Sequence, residues 1–363
     1  MILIIGNGSI GNDKGKRFFI NSHTGVFLKK LQEEFNLSFM QGATVYDINS
    51  NLQNFDLREN NIDFLALKVK KTFSFLLKTI RICKKYDFIY IFYPGSLGKL
   101  IALVSFFLNK PYALYIRGQY YNQGNWDRFI LKQSKFILTV SPSIQKDLNR
   151  FCDKVDVIKP MIDIGLEDLY EDRLFKIPKQ WNLLFVGRVE FRKGIVDLIE
   201  IARLLKKRNI KFILHIVGGG DMFEEVKQWI VEYGLIKEVK LHGLISDKQQ
   251  LQEFYKMSDA FVFTSHDEGF PRVLYEAMAN ALPIFTTFVG GIPGRMIHEE
   301  NCIEIPVQNA KESTERIVNQ INQPKKLEFL GKAGLKTVKK MLESELLPHE
   351  DLLKKNIKEW QGN

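Results

Sequence analysis

Short apolar runs alternate with helix-length amphipathic stretches along nearly the whole chain, and they do so in two series. The first series of candidate strands is Ile2–Ile5, Leu37–Met40, Phe88–Phe92, Tyr112–Ile116, Phe136–Val140 and Asp156–Ile158. The second is Leu183–Val186, Phe212–Val217, Val239–Leu241, Ala260–Phe263 and Ile284–Thr286. Between them apolar residues recur at three- and four-residue steps, as at Ile195, Leu198, Ile199, Ala202 and Leu205. Alternating β and α implies parallel sheets covered by helices on both faces. The expected fold class is therefore α/β, with two doubly wound, Rossmann-like domains. The series breaks between Pro160 and Trp181, where the chain turns acidic and loses its period. That break predicts one domain over residues 1–165 and a second over 175–342. A helical, polar tail follows at 343–363.

A chain of 363 residues is long enough for two such cores. Its 52 basic and 42 acidic residues leave a net charge of +10. That suits an anionic partner: a phosphorylated ligand, an acidic membrane surface or nucleic acid. The basic residues are spread along the chain with no recognition motif, so nucleic acid ranks last. Cys83, Cys152 and Cys302 lie far apart, with neither metal spacing nor a disulfide framework, which points to a reducing compartment. Met1–Ile5 is an apolar run without a basic leader and reads as a strand. The longest apolar stretch, Leu100–Leu108, is far short of the roughly twenty residues of a spanning helix. The expected location is the cytoplasm, with peripheral attachment at the inner face of the cell membrane.

The densest chemistry lies in the second half. Strand Leu183–Val186 runs into Gly187 and Arg188, then Lys193 and Gly194 at a helix entry. Gly187 permits a tight turn. Arg188 and Lys193 can serve a diphosphate, one as a planar fork and the other as a point charge; a solvated basic loop is the plainer alternative. Strand Phe212–Val217 ends in Gly218, Gly219 and Gly220, which allow close backbone approach to a ligand, or form a loop with a helix cap at Asp221. After Val239–Leu241, the turn His242-Gly243-Leu244 can hold a flat base through main-chain groups, with His242 packing or orienting rather than catalytic.

Glu268 and Glu276 bracket Gly269-Phe270-Pro271-Arg272-Val273-Leu274, a loop that turns into a helix. Glu276, inside that helix, is placed to accept both ribose hydroxyls. Glu268, in the loop, can accept hydroxyls of a second sugar ring. Eight residues of helix would span roughly 12 Å, the scale of a sugar nucleotide. Pro271 suits the first helical turn. The amides near Arg272, Val273 and Leu274 suit a phosphate.

Gly187-Arg188 with Lys193-Gly194, the Glu268–Glu276 segment with its following Ala277-Met278-Ala279, Leu282-Pro283, and Val289-Gly290-Gly291-Ile292-Pro293 resemble the retaining GT-B glycosyltransferases of family four. The resemblance spans roughly residues 181–306. It implies two Rossmann-like domains facing a cleft, a nucleotide-sugar donor held by the second domain, and a last helix crossing back to the first. It implies that Arg188 and Lys193 bind the diphosphate, Glu276 the ribose and Glu268 the donor sugar. No Asp-x-Asp occurs and the six histidines are scattered. No cofactor or metal is therefore expected. Arg188, Lys193 and the helix end would stabilise the leaving diphosphate instead.

The first half is less explicit. Gly6-Asn7-Gly8-Ser9-Ile10-Gly11 spells a dinucleotide fingerprint, but no amphipathic helix follows and the next strand ends in Gln41 rather than an acid. A flexible Gly-rich loop at the cleft, including Gly8, is expected, with a helix starting at Thr24-Gly25. Family members often carry a histidine after the fourth or fifth N-terminal strand; here Arg117-Gly118 stands after Tyr112–Ile116. A guanidinium is a poor general base. Arg117 therefore stabilises the leaving group, binds an acidic acceptor, or is an ion-paired surface residue. Tyr120, Tyr121 and Asn122 continue toward an acceptor site. Residues 62–85 read as one helix with Ile62, Leu65, Ala66, Val69, Phe73, Leu76 and Ile80 on one face. The other face carries Lys68, Lys71 and Lys78 with Phe64, Phe75 and Ile82. This is either a membrane-surface helix or one buried on two sides.

The combined expectation is a metal-independent retaining hexosyltransferase. It would use a nucleoside-diphosphate sugar, of UDP rather than GDP type, and a glycan or lipid-linked glycan acceptor in cell-surface polysaccharide synthesis. The alternative is a catalytically silent GT-B scaffold that binds nucleotide sugar or glycan.

Overall fold

A computed structural model describes residues 1–13, 17–43, 55–67, 72–118, 124–160, 162 and 164–362. The chain divides into unit 1, Met1–Pro160 with Leu346–Asn363, and unit 2, Met161–Glu345.

Unit 1 runs β1 (Ile2–Asp13), β2 (Arg17–Ile20), α1 (Ser22–Gln32), β3 (Leu37–Ala43), β4 (Phe55–Asp56), β5 (Asp63–Leu67), α2 (Phe73–Lys84) and β6 (Phe88–Tyr93). It continues with α3 (Ser96–Phe107), β7 (Tyr112–Ile116), α4 (Asn125–Gln133), β8 (Ile137–Thr139), α5 (Pro142–Leu148) and β9 (Val155–Val157). The parallel sheet has the order β5-β3-β1-β6-β7-β8-β9. The far end of β1 leaves that sheet and pairs antiparallel with β2, which pairs with β4. One face of the sheet is covered by α2, α3, α4 and α5. The other is covered by α1 and the C-terminal helix His349–Gly362, whose Leu352, Leu353 and Ile357 share a core with Phe27, Leu28 and Leu31.

Two expectations for this unit are overturned. The Gly6–Gly11 stretch is strand, not a flexible loop. A Cβ on Gly6 would lie 2.2 Å from Gln41 Oε1, and one on Gly8 would lie 2.9 Å from Gln41 Nε2. These glycines make room for a buried glutamine side chain, so they serve packing against β3 rather than a phosphate. Helix α1 begins at Ser22, capped by Asn21, whose side chain accepts from Thr24 N–H at 2.9 Å.

Residues 62–85 are not one helix. Asp63–Leu67 is β5, and the helix starts only at Phe73, where Thr72 Oγ1 accepts from Phe75 N–H. Short apolar runs satisfy both strand and helix periods, and here tertiary pairing with β3 decided. The orientation changes with it. Phe75 and Ile82, expected to be exposed, are buried, whereas Phe73, expected inside, is 74% exposed. Lys68, Val69 and Lys71 lie outside the described residues.

Unit 2 runs β10 (Trp181–Val186), α6 (Ile195–Lys207), β11 (Phe212–Val217), α7 (Phe223–Glu232), β12 (Val239–Gly243), α8 (Lys248–Met257), β13 (Ala260–Phe263), α9 (Arg272–Ala279), β14 (Ile284–Thr287), β15 (Ile303–Ile305), α10 (Ala310–Ile321) and α11 (Pro324–Leu342). Its six strands are all parallel in the order β12-β11-β10-β13-β14-β15. Near-continuous apolar strands such as Ala260–Phe263 are buried on both faces, as a parallel sheet requires. Arg173 anchors the acidic segment before β10. Its guanidinium donates to the carbonyls of Asn280, Ser258 and Tyr255 at 2.5–2.7 Å, and burial lowers its pKa to about 10.

Candidate active site

In unit 2, β11 and β12 lie on one side of β10, while β13, β14 and β15 lie on the other. The loops that leave the C-terminal ends of β10 and β13 part at this switch point, where doubly wound sheets take their ligands.

From β10 the chain passes Gly187 and Arg188 and makes one 3-10 turn, Phe191–Lys193, before Gly194. Gly194 is left-handed, with φ +67°, and a Cβ there would lie 1.9 Å from the Thr264 carbonyl oxygen. Only glycine fits that contact. Further bonds join the two loops. Thr264 Oγ1 donates to the Gly194 carbonyl at 2.8 Å. The Arg192 carbonyl accepts from His266 N–H at 2.9 Å and from Ser265 Oγ at 3.2 Å. His266 Nε2 meets Asp197 Oδ2, in the first turn of α6, at 2.5 Å.

This stitching brings the Lys193 ammonium against Glu268 Oε1 in an ion pair whose side chains are 17% and 10% exposed. Ser265 Oγ donates to the same carboxylate oxygen at 3.0 Å. Lys193 and Glu268, expected on separate parts of a ligand, are thus each other's partner. Arg188 stands apart. It is 58% exposed and pairs with Glu190 at 2.9 Å.

Glu268 lies in the loop after β13 and Glu276 in the second turn of α9, as the spacing implies. Pro271 is the residue before that helix rather than its first, with φ −74° and ψ 133°, and no side chain caps the turn. Leu274 N–H turns back to the Pro271 carbonyl at 3.2 Å. Gly269 is pinned through its carbonyl, which accepts from Gly291 N–H at 2.6 Å. Phe270 packs its ring 4.6 Å from Tyr275, Val273 packs on the core, and Leu274 is buried in it. Those side chains hold the helix; what they can offer a ligand is backbone. Glu276 Oε2 accepts from Tyr255 OH at 2.6 Å. The Tyr255 phenol is buried, and its pKa is pushed well up by burial first and then by the Glu276 charge. Both line a cavity of about 170 Å³ with Ser246, Leu251, Gln252 and Asn280.

The three glycines after β11 divide by role. A Cβ on Gly218 would lie 1.9 Å from the Gly187 carbonyl oxygen, and one on Gly220 would lie 2.2 Å from that of Val189. These two let the turn sit on the backbone of the β10 loop. Only Gly219 has room, with Leu244 Cβ nearest at 4.0 Å. Asp221 is not a cap; α7 starts at Phe223 after Met222.

His242 and Gly243, expected in a turn, belong to β12, and the Gly243 carbonyl accepts from Gly218 N–H at 2.7 Å. Leu244 follows as an exposed side chain. His242 Nε2 meets His215 Nδ1 at 3.0 Å and its ring packs on Phe254. Burial lowers the His215 pKa to about 4, helped by His242 and Lys240; His242 is lowered by desolvation and Lys240. The stacked pair joins β11 to β12.

In unit 1, Arg117 leaves the C-terminal end of β7, exposed, with Nη2 3.3 Å from Asn7 Oδ1 and its guanidinium 5.7 Å from the Tyr115 ring centre. Gly118 follows it, and Gly8 lies in β1, the strand that carries Asn7. Tyr120 lies outside the described residues, as do Tyr121 and Asn122. A buried histidine stands behind Arg117, but it comes from the C-terminal helix. His349 Nε2 meets Tyr90 OH at 2.7 Å and its ring lies 4.1 Å from that of Tyr115. Burial, then the Arg117 charge, lowers its pKa to about 3.

Sequence reasoning did not find Ser265, the His266–Asp197 pair or Tyr255. The polar Ser265-His266 step directly after an apolar strand is a legible signal. A tyrosine inside an amphipathic helix reads as core and gives none. Among the described residues, no group of three or more His, Cys, Asp or Glu side chains is arranged to hold a metal ion. Cys83, Cys152 and Cys302 are free and buried.

The whole chain superimposes on glycosyltransferases of the GT-B fold. HepE of Anabaena, solved in complex with UDP, aligns over 99% of both chains with a TM-score of 0.66 and 17% identity. The lipopolysaccharide outer core galactosyltransferase WaaB matches as well, with a TM-score of 0.66 at 16% identity over 99% of both chains. In sequence, residues 168–337 match the family model Glycosyl transferases group 1. That match lies within unit 2. An uncharacterized glycosyltransferase of Methanocaldococcus jannaschii is 34% identical over 187 residues, covering 48% of this chain and 47% of the relative. CapM of Staphylococcus aureus, a capsular polysaccharide biosynthesis glycosyltransferase, is 26% identical over 46% of this chain and 43% of its own length. The chain thus spans about half the length of these curated relatives.

Proposed function

We propose that this chain is a metal-independent retaining glycosyltransferase. It moves a hexose-type sugar from a nucleoside diphosphate, UDP rather than GDP, to a hydroxyl of a glycan or lipid-linked glycan during polysaccharide synthesis. One observation carries the reading. Loops from two adjacent strands at the switch point of unit 2 bring Lys193 and Glu268 together, mostly buried, eight residues ahead of a second glutamate, Glu276, in a cavity. The family match supports sugar transfer. Names such as capsular polysaccharide for CapM, and UDP in the HepE complex, support the acceptor class and the donor type.

The roles follow from charge. A diphosphate competes with Glu268 for the Lys193 ammonium and draws Arg188 from Glu190, since both cations are held by single carboxylates. Glu268, still bonded to Ser265, then accepts hydroxyls of the donor sugar. Glu276 accepts the ribose hydroxyls while Tyr255 fixes its orientation. The amides at the start of α9 face the same anion. In the transfer, the bond from the sugar's C1 to the phosphate oxygen breaks and a bond from C1 to the acceptor oxygen forms on the same face. The acceptor proton passes to the leaving phosphate oxygen, so no protein base is needed and Arg117 can stand where a histidine is more usual. Lys193 and Arg188 stabilise the charge that develops on the departing diphosphate.

Turnover of a UDP-sugar by Lys193→Ala is the test. Loss of that cation is expected to remove about 3–4 kcal/mol of transition-state stabilisation, with the fold intact. Near-wild-type turnover would contradict the assignment. A protein that binds UDP but neither hydrolyses nor transfers any sugar would be the silent scaffold instead.

A further inference from the structure

Most of the exposed large apolar side chains of unit 1 lie on one layer, the helices α2, α3 and α4. On α2, Phe73, Leu77, Arg81 and Lys84 recur at helical spacing and share the outward stripe, opposite the buried Phe75, Thr79 and Ile82. α3 packs beside α2 and α4. Its exposed apolar side chains are Phe106 and Phe107, and Phe107 is 75% exposed. On α4, Trp126 is 65% exposed and touches Phe129, which packs edge-on against Phe106 at 4.8 Å. Aromatic side chains so exposed and so clustered are uncommon on a surface that meets only water.

The charges around them have one sign. The three helices carry Lys78, Arg81, Lys84, Lys99, Arg128 and Lys132, and their single acid, Asp127, is buried against Lys99. Exposed aromatics set among cations, with no exposed acid between them, match an interface whose outer layer is anionic and whose interior is apolar. A second copy of the chain fits poorly, because face-to-face pairing would bring two sets of like charges together.

We propose that this face of α2, α3 and α4 docks on an anionic lipid bilayer, with Phe73, Phe107 and Trp126 entering the headgroup layer and the lysines and arginines meeting lipid phosphates. The residues differ from those that sequence periodicity singled out, since Phe75 and Ile82 point into the core. No described helix is long and apolar enough to cross a membrane, so attachment here lies in the interface plane. The inference deepens the reading above by favouring a lipid-linked acceptor, and rests on that reading for this step alone; docking itself is independent of catalysis.

Vesicle flotation of the full chain tests it. Vesicles of equal parts phosphatidylglycerol and phosphatidylcholine are expected to carry the protein up the gradient, and pure phosphatidylcholine much less. F107S/W126S is expected to weaken binding by about tenfold or more, and R81E/K84E to abolish the preference for the anionic vesicles. UDP-dependent thermal stabilisation is expected to stay unchanged in both variants, because all four positions belong to unit 1. The proposal is overturned if the wild type does not float with anionic vesicles or if F107S/W126S floats as well as wild type. It is also overturned if the wild type instead self-associates and that variant restores the monomer. Loss of sugar transfer with flotation intact would count against the catalytic reading and leave docking standing.

Discussion

Each unit holds a lysine against a buried carboxylate, and the two pairs are built differently. In unit 1, Lys99 of α3 meets Asp127 of α4 at 2.8 Å, and Tyr93 at the end of β6 donates its hydroxyl to the same carboxylate. Asp127 is 4% exposed, and burial together with that acid raises the Tyr93 pKa well above the ordinary phenol range. All three groups stand on regular elements. In unit 2, Lys193 and Glu268 stand on loops, joined by Ser265 and by a glycine pressed against the opposing backbone. A pair on rigid helices ties a layer together. A pair on loops at a sheet's switch point can exchange its partner for a ligand. The first should therefore show itself in stability and the second in turnover.

The sharpest way to break this contrast is to delete both lysines. Lys193→Ala should lose about 3–4 kcal/mol in kcat/KM while its melting temperature stays within a few degrees of wild type. Lys99→Ala should behave in reverse. It leaves Asp127 buried without its cation and should cost about 3 kcal/mol of unfolding free energy, measured by denaturant titration, with UDP binding unchanged. Equal stability losses in the two variants would erase the distinction.

Acid acts on both units, since burial also holds His215 of unit 2 low, and the larger effect is expected in unit 1. The folded-state pKa of His349 is about 3, below its ordinary 6.5, so the unfolded chain takes up a proton first. The stability it supports is complete above pH 6.5 and is lost as pH falls toward 3, at up to about 1.4 kcal/mol per pH unit. Comparing wild type with His349→Phe across that range isolates the effect. The wild type should show the steeper loss; parallel curves would sink the idea. The smallest change expected is in Tyr255→Phe, which removes only the hydroxyl bonded to Glu276. UDP affinity should fall by about 1 kcal/mol without a matching fall in the sugar-transfer step.

How far the sequence could be read differs between the units for the same reason. In unit 2 a strand, a short loop and a helix follow one another, so loop position is set by sequence spacing. Gly187, Lys193, Glu268 and Glu276 could be placed from the alternation alone. What could not be read was partnership: nothing in spacing tells that Lys193 pairs with Glu268, or that Ser265 donates to the same carboxylate. Nor does it tell that Gly218 and Gly220 answer to neighbouring backbone rather than to a ligand. In unit 1 the elements depart from simple alternation. β1 continues past its sheet into a hairpin, so its Gly-x-Gly looked like a phosphate loop when it was making space for Gln41. β5 and α2 fall within one apolar stretch whose period fits a helix throughout. The docking face across α2, α3 and α4 was invisible for a related reason. Its aromatic residues come from three separate segments, and only packing shows that they share a surface.

The central claim is that unit 2 holds a nucleoside diphosphate between the Lys193 loop and α9. A crystal structure with UDP tests it most directly. The account predicts the diphosphate against Lys193 and Arg188, the ribose on Glu276, and the Lys193–Glu268 ion pair opened. A nucleotide bound away from these residues, with that ion pair unchanged, would contradict it.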